Sequence, residues 1–331
     1  MTEAAFDVVG IGNALVDVIA HADDTFLTEN ALAKGTMTLI DARRADELYA
    51  RMPPAAESSG GSAGNTIAGV ASLGGRAAYI GKVCDDQLGR VYRHDIRALG
   101  VTFDVPPATG GATGRCLIVV TPDAQRTMQT YLGAGSDLGP EDVDERLIAS
   151  AHVTYLEGYL WDPPRAKEAF LKAARIAHEA GRRVALTLSD PFCVERHREE
   201  FLDLVAGHID VLFANEIEII SLYQVERFDD ALQQVRGHCE IAALTRSELG
   251  AVIVPRDEIH VLDAEPVGRV VDTTGAGDLY AAGFLFGLTH GMDVATCGRI
   301  AGIAAAEVIS HYGARPVVPL KGFVESRLRQ K

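Results

Sequence analysis

The sequence predicts an α/β fold: a mainly parallel sheet covered by helices on both faces, with a small β-rich lid set apart from it. Three observations predict this. From about residue 62 onward, short β-branched runs alternate with amphipathic stretches. One stretch, PPRAKEAFLKAARIAHEAG (163–181), has prolines at its start and Gly181 just past its last periodic residue, as a helix does. Two regions, 13–40 and 101–132, break the alternation with further runs of β character.

Taken in order, AAYIGKV (77–83), HVTYLEGY (152–159), RRVALTL (182–188), IDVLFAN (209–215) and EIAALT (240–245) read as strands. The segments near 87–99, 164–180, 195–206 and 216–223 between them read as helices, which is the connection parallel strands require. In the two exceptional regions VDVIAH (16–21), TMTLID (36–41), VTFDV (101–105), CLIVV (116–120) and TMQTYL (127–132) read as strands of the lid, the last two joined by the turn-like TPDAQR. PPAAESSGGSAG (53–64) has the composition of a flexible linker. The expected division is a large α/β unit of 1–12, 41–100 and 133–331 and a small lid of 13–40 and 101–132, with no internal repeat.

Lys plus Arg is 31 against 46 Asp plus Glu, a formal charge of -15, and no basic cluster with interleaved aromatics occurs. Nucleic acid and anionic membranes are therefore not expected partners, and an anionic ligand must be held by local amides or a metal. Five cysteines without CxxC or Cys/His pairing suggest a reducing compartment and no structural zinc. MTEAAFD at the start lacks a basic, then apolar, leader, and the longest strongly apolar run, LYAAGFLFGL (279–288), is ten residues. A cytoplasmic protein, monomer or homodimer, is expected.

The strongest chemical signal is VVDTTGAGDLYAAGFLFGL (270–288). A strand runs into the turn Gly275-Ala276-Gly277, then Asp278, then a run long and apolar enough for a buried helix. Such a turn aims backbone N–H groups and the positive helix end at one spot, where an oxyanion or phosphate can sit. A carboxylate there opposes phosphate binding, so Asp278 makes more sense as a base taking a proton from a nucleophile. Amides for developing charge plus an adjacent base are the parts of phosphoryl transfer. The plainer alternative is that Asp278 caps the helix and the glycines only turn the chain.

DTTGAGD followed by an apolar helix resembles the second signature of the ribokinase-like, or PfkB-type, carbohydrate and nucleoside kinases. GGSAGNTIAGVASLGG (60–75) is similar to their first signature, NEIE (215–218) to their NxxE motif, and LTRSELGA (244–251) to their nucleotide-binding TxGxxG segment. Ser247 stands where that last pattern has glycine. GNALVD (12–17), GGSAGN and YLGAGSDL (131–138) look more like the adenosine kinase branch than ribokinase itself. The resemblance implies a ribokinase-like three-layer αβα fold with a β lid.

By resemblance, Asp278 is the catalytic base, and Gly275, Ala276 and Gly277 form the anion hole. Thr245, Gly250, Thr274 and Asn215 meet the donor nucleotide, ATP, while Asn215 and Glu218 hold Mg²⁺ through water, as suits a hard ion. The competing reading of NEIE is an N-cap Asn with an ordinary surface Glu. A monovalent cation (K⁺) near the Asp272–Thr274 loop is a further implied cofactor. For the acceptor, Asn13 and Asp17, four apart in what reads as a strand, face one side, where a carboxylate can accept from two vicinal hydroxyls. Gly61 and Asn65 complete that hydroxyl site. Met37, Leu39, Leu132, Ala134, Tyr159, Leu160 and Trp161 are candidates to cover a purine base, or are plain core. Arg115 and Arg126 either reach in to phosphate or are solvated hairpin arginines.

The leading expectation is an ATP-dependent kinase acting on a primary hydroxyl of a nucleoside, adenosine first. A sugar kinase for ribose, fructose or a keto-deoxy sugar acid is the alternative. DVVGIGNALVDVIA (7–20) also suggests a dinucleotide-binding oxidoreductase, but Leu15 replaces the third small residue and β character continues where a helix is needed. No GxxxxGK[ST] occurs, which disfavours a Walker-type NTPase.

Overall fold

The computed structural model describes residues 4–123, 125–256 and 258–329. Thirteen strands are described: β1 (Phe6–Ile11), β2 (Leu15–His21), β3 (Met37–Leu39), β4 (Ala55–Ser59), β5 (Ala77–Ile80), β6 (Gly114–Val120), β7 (Arg126–Tyr131), β8 (Ala151–Glu157), β9 (Arg183–Thr187), β10 (Val211–Asn215), β11 (Ile241–Thr245), β12 (Ala251–Pro255) and β13 (His260–Leu262). Eight form one sheet in the order β13-β12-β11-β10-β9-β8-β1-β5, parallel from β11 to β5, with β12 and β13 added antiparallel at one edge. The other five form a smaller sheet, β3-β7-β6-β2-β4.

Each face of the main sheet carries its own apolar core, and alternation along the strands divides them. Val8 joins the cluster that includes helices Ser62–Ser72, Ala276–Thr289 and Val294–Val308, while Val9 and Ile11 join the one under Pro164–Glu179 and Pro191–Gly207. The run at 279–288 does form a buried helix, and its glycines let neighbours approach: a Cβ on Gly283 would lie 2.7 Å from Ala301 Cα. The expected strands near 77, 152, 182, 209 and 240 and helices near 87, 164 and 216 are all present. The helix expected near 195 begins at Pro191 instead, because Asp190 accepts from Cys193 N and Pro191 occupies the first turn.

Two segments depart from the reading. The linker-like 53–64 contains β4, which pairs antiparallel with β2 from Val16↔Ser59 to Ala20↔Ala55, so small polar residues are strand here because of a partner. VTFDV belongs to the main sheet rather than the lid: Thr102 bridges Ala78, and Phe103 stacks on Tyr79 with ring centres 5.8 Å apart. Within TPDAQR, Ala124 lies outside the described residues, as do residues 1–3 and 330–331 at the ends of the expected large unit. Among the described residues no helix is long and apolar enough to cross a membrane.

Candidate active site

The parallel strands β1, β8, β9, β10 and β11 end on one side of the sheet, and the candidate residues gather beyond those carboxyl ends, where open α/β sheets bind ligands. The glycine turn closes this crevice. Gly275 adopts φ 77° as the residue before helix Ala276–Thr289, and a Cβ on it would lie 2.6 Å from Ala314 O. At Gly277 a Cβ would meet nothing within 4 Å, so the space beside the first helical turn is open, while Ala276 N already donates to Thr273 O at 3.2 Å.

Asp278 stands in the first turn of that helix. Ser62 Oγ donates to its Oδ1 at 2.7 Å and Asn65 Nδ2 to its Oδ2 at 3.0 Å, both from the first turn of helix Ser62–Ser72. Burial pushes the Asp278 carboxyl up to about 6, against those two donors and the charge of Arg315. The plainer role as a cap is not what the contacts describe, since both donors are side chains of another helix.

Asn13 lies in the loop before β2, not in a strand. Its N and Nδ2 donate to Glu157 Oε1 at 3.3 and 2.8 Å, and its Oδ1 is buried without a partner. Glu157, at the end of β8, also accepts from Ala63 N at 2.8 Å, and burial pushes it up to about 7. Gly61, at φ 85°, holds this junction together: a Cβ there would be 2.0 Å from Asn13 O. Asp17 is half-buried on β2, where Gly60 leaves its carboxylate room, and burial pushes it up to about 6 against Arg315 and Arg126. Asn65 has both polar ends committed, to Asp278 and to Arg315 Nε at 3.2 Å.

A second group sits at the ends of β10 and β11, where Asn215 pairs in register with Thr245. Asn215 caps the helix Glu216–Tyr223, accepting from Glu218 N at 2.9 Å, while Glu218 Oε2 accepts from Asn215 N at 2.9 Å and Oε1 from Asn215 Nδ2 at 2.6 Å. Glu218 is nevertheless buried rather than an ordinary surface Glu, and that burial, with Asp190 adding like charge, pushes it up to about 7. Among the described residues no set of three or more His, Cys, Asp or Glu is grouped to hold a metal. A hard ion held beside Glu218 and Asn215 would have to take its remaining oxygens from water or substrate. Gly250 is required by the chain: its φ is 85° and a Cβ would lie 2.0 Å from Leu262 O. Ser247 holds the left-handed φ of 51° that its glycine counterpart in the motif adopts freely.

Thr274 N donates to Asp272 Oδ1 at 3.0 Å. Asp272 also accepts from Gly313 N at 3.0 Å and from Arg126 Nη1 at 3.0 Å. Its carboxylate is thus neutralised by a guanidinium, and the side chain does not fit a K⁺ ligand. Arg126 reaches in, whereas Arg115 pairs with Asp46 and lies over the Tyr49 ring.

Among the expected base-covering residues, Trp161 packs on Phe170 and Phe201 with ring centres 5.8 and 5.9 Å apart, and Leu160 is buried in the same cluster, so plain core describes both. Tyr159, held well above the usual phenol range by burial, feels Asp190, Glu218, Asp278 and Glu157 and so stands between the two groups. Ala134 is buried and Leu132 half-buried where the chain leaves β7. Met37 and Leu39 are exposed on β3. The sequence reading missed Ser62 and Glu157, which lie in or beside the quoted segments but carry no spacing signal of their own, and Arg315, which lies outside every motif. It also missed Ile19, Cys116, Ile118 and Met128, an apolar cluster of the small sheet.

Known proteins share this fold. The pfkB family carbohydrate kinase profile matches residues 31–321. Adenosine kinase from Sinorhizobium meliloti has the same fold with a TM-score of 0.93 and 56% identity, over 98% of this chain and 100% of that one. A probable sugar kinase protein from Rhizobium etli CFN 42 gives 0.93 and 53%, over 98% and 99%. Adenosine kinase of Saccharomyces cerevisiae is 27% identical over 317 residues, 87% of this chain and 90% of that protein. With the match running through the glycine turn, Asp278, Asn215 and Glu218, the chain belongs to the pfkB family of carbohydrate kinases, phosphotransferases that act on a hydroxyl group.

Proposed function

We propose that the acceptor is a nucleoside, adenosine, whose 5′-hydroxyl takes the γ-phosphoryl group of ATP to give AMP. One observation carries the choice of a nucleoside over a simple sugar. On the small sheet Asp17 pairs with Cys116, Ile19 with Ile118, and Ile118 with Met128, so the face that presents the Asp17 carboxylate continues as an apolar surface. Met37, paired with Met128, and Leu39, paired with Thr130, extend it, 37% and 47% exposed. A carboxylate for vicinal hydroxyls on a face that is buried at Cys116 and Ile118 and open at Met37 and Leu39 suits a ligand with one polyhydroxy end and one flat apolar end. The opposite face, Val16, Val18, Leu117 and Val119, is covered by Leu27 and Leu48 of helices Asp24–Glu29 and Ala42–Tyr49. The relatives' names, adenosine kinase and probable sugar kinase, point both ways.

In this reading Asp278 takes the hydroxyl proton. Its carboxyl, near 6, is ionised at neutral pH yet close enough to it to act as a base. The amides of the 275–277 turn and the helix dipole stabilise charge on the transferring phosphoryl group. Asn13 Oδ1, a buried acceptor without a protein partner, is free for an acceptor hydroxyl. Asn215 and Glu218 would hold Mg²⁺, which when bound supplies positive charge to the donor phosphates. Thr245 would meet those phosphates from the end of β11. The small sheet, acting as a lid, excludes water, the competing acceptor. The test is a panel of adenosine, other nucleosides, ribose, fructose and a keto-deoxy sugar acid with ADP release as readout. ADP released with adenosine supports the reading; ADP with ribose or fructose and none with nucleosides overturns it.

A further inference from the structure

We infer that Arg315 is a positioning residue for phosphoryl transfer: it fixes the Asn65 side-chain amide so that Asn65, in turn, holds Asp278 in the geometry that accepts the proton. This rests on the reading of Asp278 as the base.

Arg315 lies in the segment after helix Val294–Val308, 250 residues from its partner Asn65, and belongs to no motif of the sequence. Its Nε donates to Asn65 Oδ1 at 3.2 Å, and its Nη1 donates to Ser59 Oγ on β4. Ser59 Oγ in turn donates to Asp95 Oδ2 at 3.2 Å. A guanidinium has donors only, so the Asn65 atom that faces it must be the carbonyl oxygen. The other end of that amide, Nδ2, is then obliged to point at Asp278, where it donates to Oδ2 at 3.0 Å. Without Arg315 the amide is free to turn over and present Oδ1 to the carboxylate, which repels it. Arg315 Nη2 is buried with no acceptor among the described residues, a cost that packing alone does not require.

The charge acts in the same direction as the hydrogen bonds. The ionisable groups around Asp278 are Asp17 on β2, Glu157 and Tyr155 on β8, Tyr159 after it and Arg315, while Arg126 on β7 acts on Asp17. Of the two cations, Arg126 is paired with Asp272, while Arg315 lowers both Asp278 and Asp17. Removing it leaves carboxylates facing one another across the crevice, so the protonated form of Asp278 is favoured and the base is lost at higher pH.

The experiment compares wild type, Arg315→Met, Arg315→Lys, Asn65→Ala and the double substitution Arg315→Met with Asn65→Ala. In Arg315→Met, kcat is expected to fall about tenfold or more with a much smaller change in acceptor KM, and the acid limb of kcat to move up by about one pH unit. Arg315→Lys keeps the charge and returns the limb toward wild type. In the Asn65→Ala background, Arg315→Met costs less than it does alone, because its hydrogen-bonded route to Asp278 is gone and only the effect of its charge remains. The Asn65 side-chain amide resonances, followed by NMR across pH 4–9, titrate with Asp278 and report the same shift without any turnover. A folded Arg315→Met protein in which neither the limb nor the amide midpoint moves overturns the inference. The outcome is separable from the choice of adenosine, because the limb is read with whichever acceptor wild type uses and the amide titration needs none.

Discussion

Arg126 Nη1 donates to Asp272 Oδ1 at 3.0 Å, and this ion pair joins β7 of the small sheet to the loop that leads into the glycine turn. The two side chains are only 13% and 2% exposed. Because Asp272 also accepts from Thr274 N and Gly313 N, one carboxylate fixes the small sheet, the turn and the segment carrying Arg315 relative to one another. A pair so far from water gains little from charge alone, yet removing half of it is costly.

The cost is expected to be asymmetric. Asp272→Ala strips the counter-charge from a buried guanidinium and leaves two N–H groups without acceptors, a loss of about 3–5 kcal/mol. Arg126→Met leaves Asp272 its two backbone donors and puts an apolar chain in the gap, a loss of about 1–2 kcal/mol. Urea denaturation of the two variants checks the order, and a more damaging Arg126→Met would show that Asp272 does not organise the junction.

Stability is expected to fall as pH rises from about 5 to 8. Burial raises Asp17 and Asp278 to about 6 and Glu157 and Glu218 to about 7, above ordinary carboxylate values. At these four groups the folded chain holds more protons than the unfolded chain between the ordinary values and the raised ones, so their contribution to stability is fully present below about pH 4 and lost as pH passes through 6–7. His152, lowered by burial, acts the other way, one imidazole against four carboxylates. Each carboxylate is worth roughly 2 kcal/mol across the window. Thermal melts from pH 4.5 to 8 test this; Asp278→Asn should flatten the slope, and a Tm that climbs steadily to pH 8 contradicts it.

What the sequence made legible follows from how local each feature is. The alternation that marks β5, β8, β9, β10 and β11 and the contiguous DTTGAGD turn needed only neighbours in the chain. AAESS, by contrast, carries no β-branched residue and becomes β4 only by lying beside β2. Glu157, Ser62 and Arg315 are single residues whose partners lie 94 to 250 positions away, so nothing near them announces a role. Asn13 shows the reverse: its motif was visible, but its loop conformation comes from Gly61 backing onto its carbonyl. The capping box at Asn215 was readable from spacing, whereas the burial that lifts Glu218 out of the ordinary is a tertiary fact.

Glu218→Gln separates the cap from the charge. The glutamine keeps an oxygen for Asn215 N but sets its Nε2 against Asn215 Nδ2, so one hydrogen bond is lost as the buried charge disappears; the two effects oppose, and Tm at pH 8 should change little. If the carboxylate helps to hold Mg²⁺, the concentration of the ion giving half-maximal turnover rises about tenfold. An unchanged Mg²⁺ requirement in the folded variant would mean that Glu218 serves the cap alone.

The two glycines of the turn are expected to fail for different reasons. Gly275 is needed by the fold: at φ 77° and with a Cβ 2.6 Å from Ala314 O, Gly275→Ala should cost about 2 kcal/mol or more and be visible in the melt. Gly277 is not: its Cβ would enter open space from the first turn of a helix, where alanine gains about 0.5–1 kcal/mol over glycine. That open space is where the reading puts the transferring phosphoryl group, and a methyl group there keeps the phosphate from the amides. Gly277→Ala should therefore melt at or above the wild-type temperature while kcat falls about a hundredfold, the size of losing an oxyanion donor. Full turnover in that variant would mean that nothing approaches the amides of the turn during the reaction, and the phosphoryl site would have to lie elsewhere in the crevice.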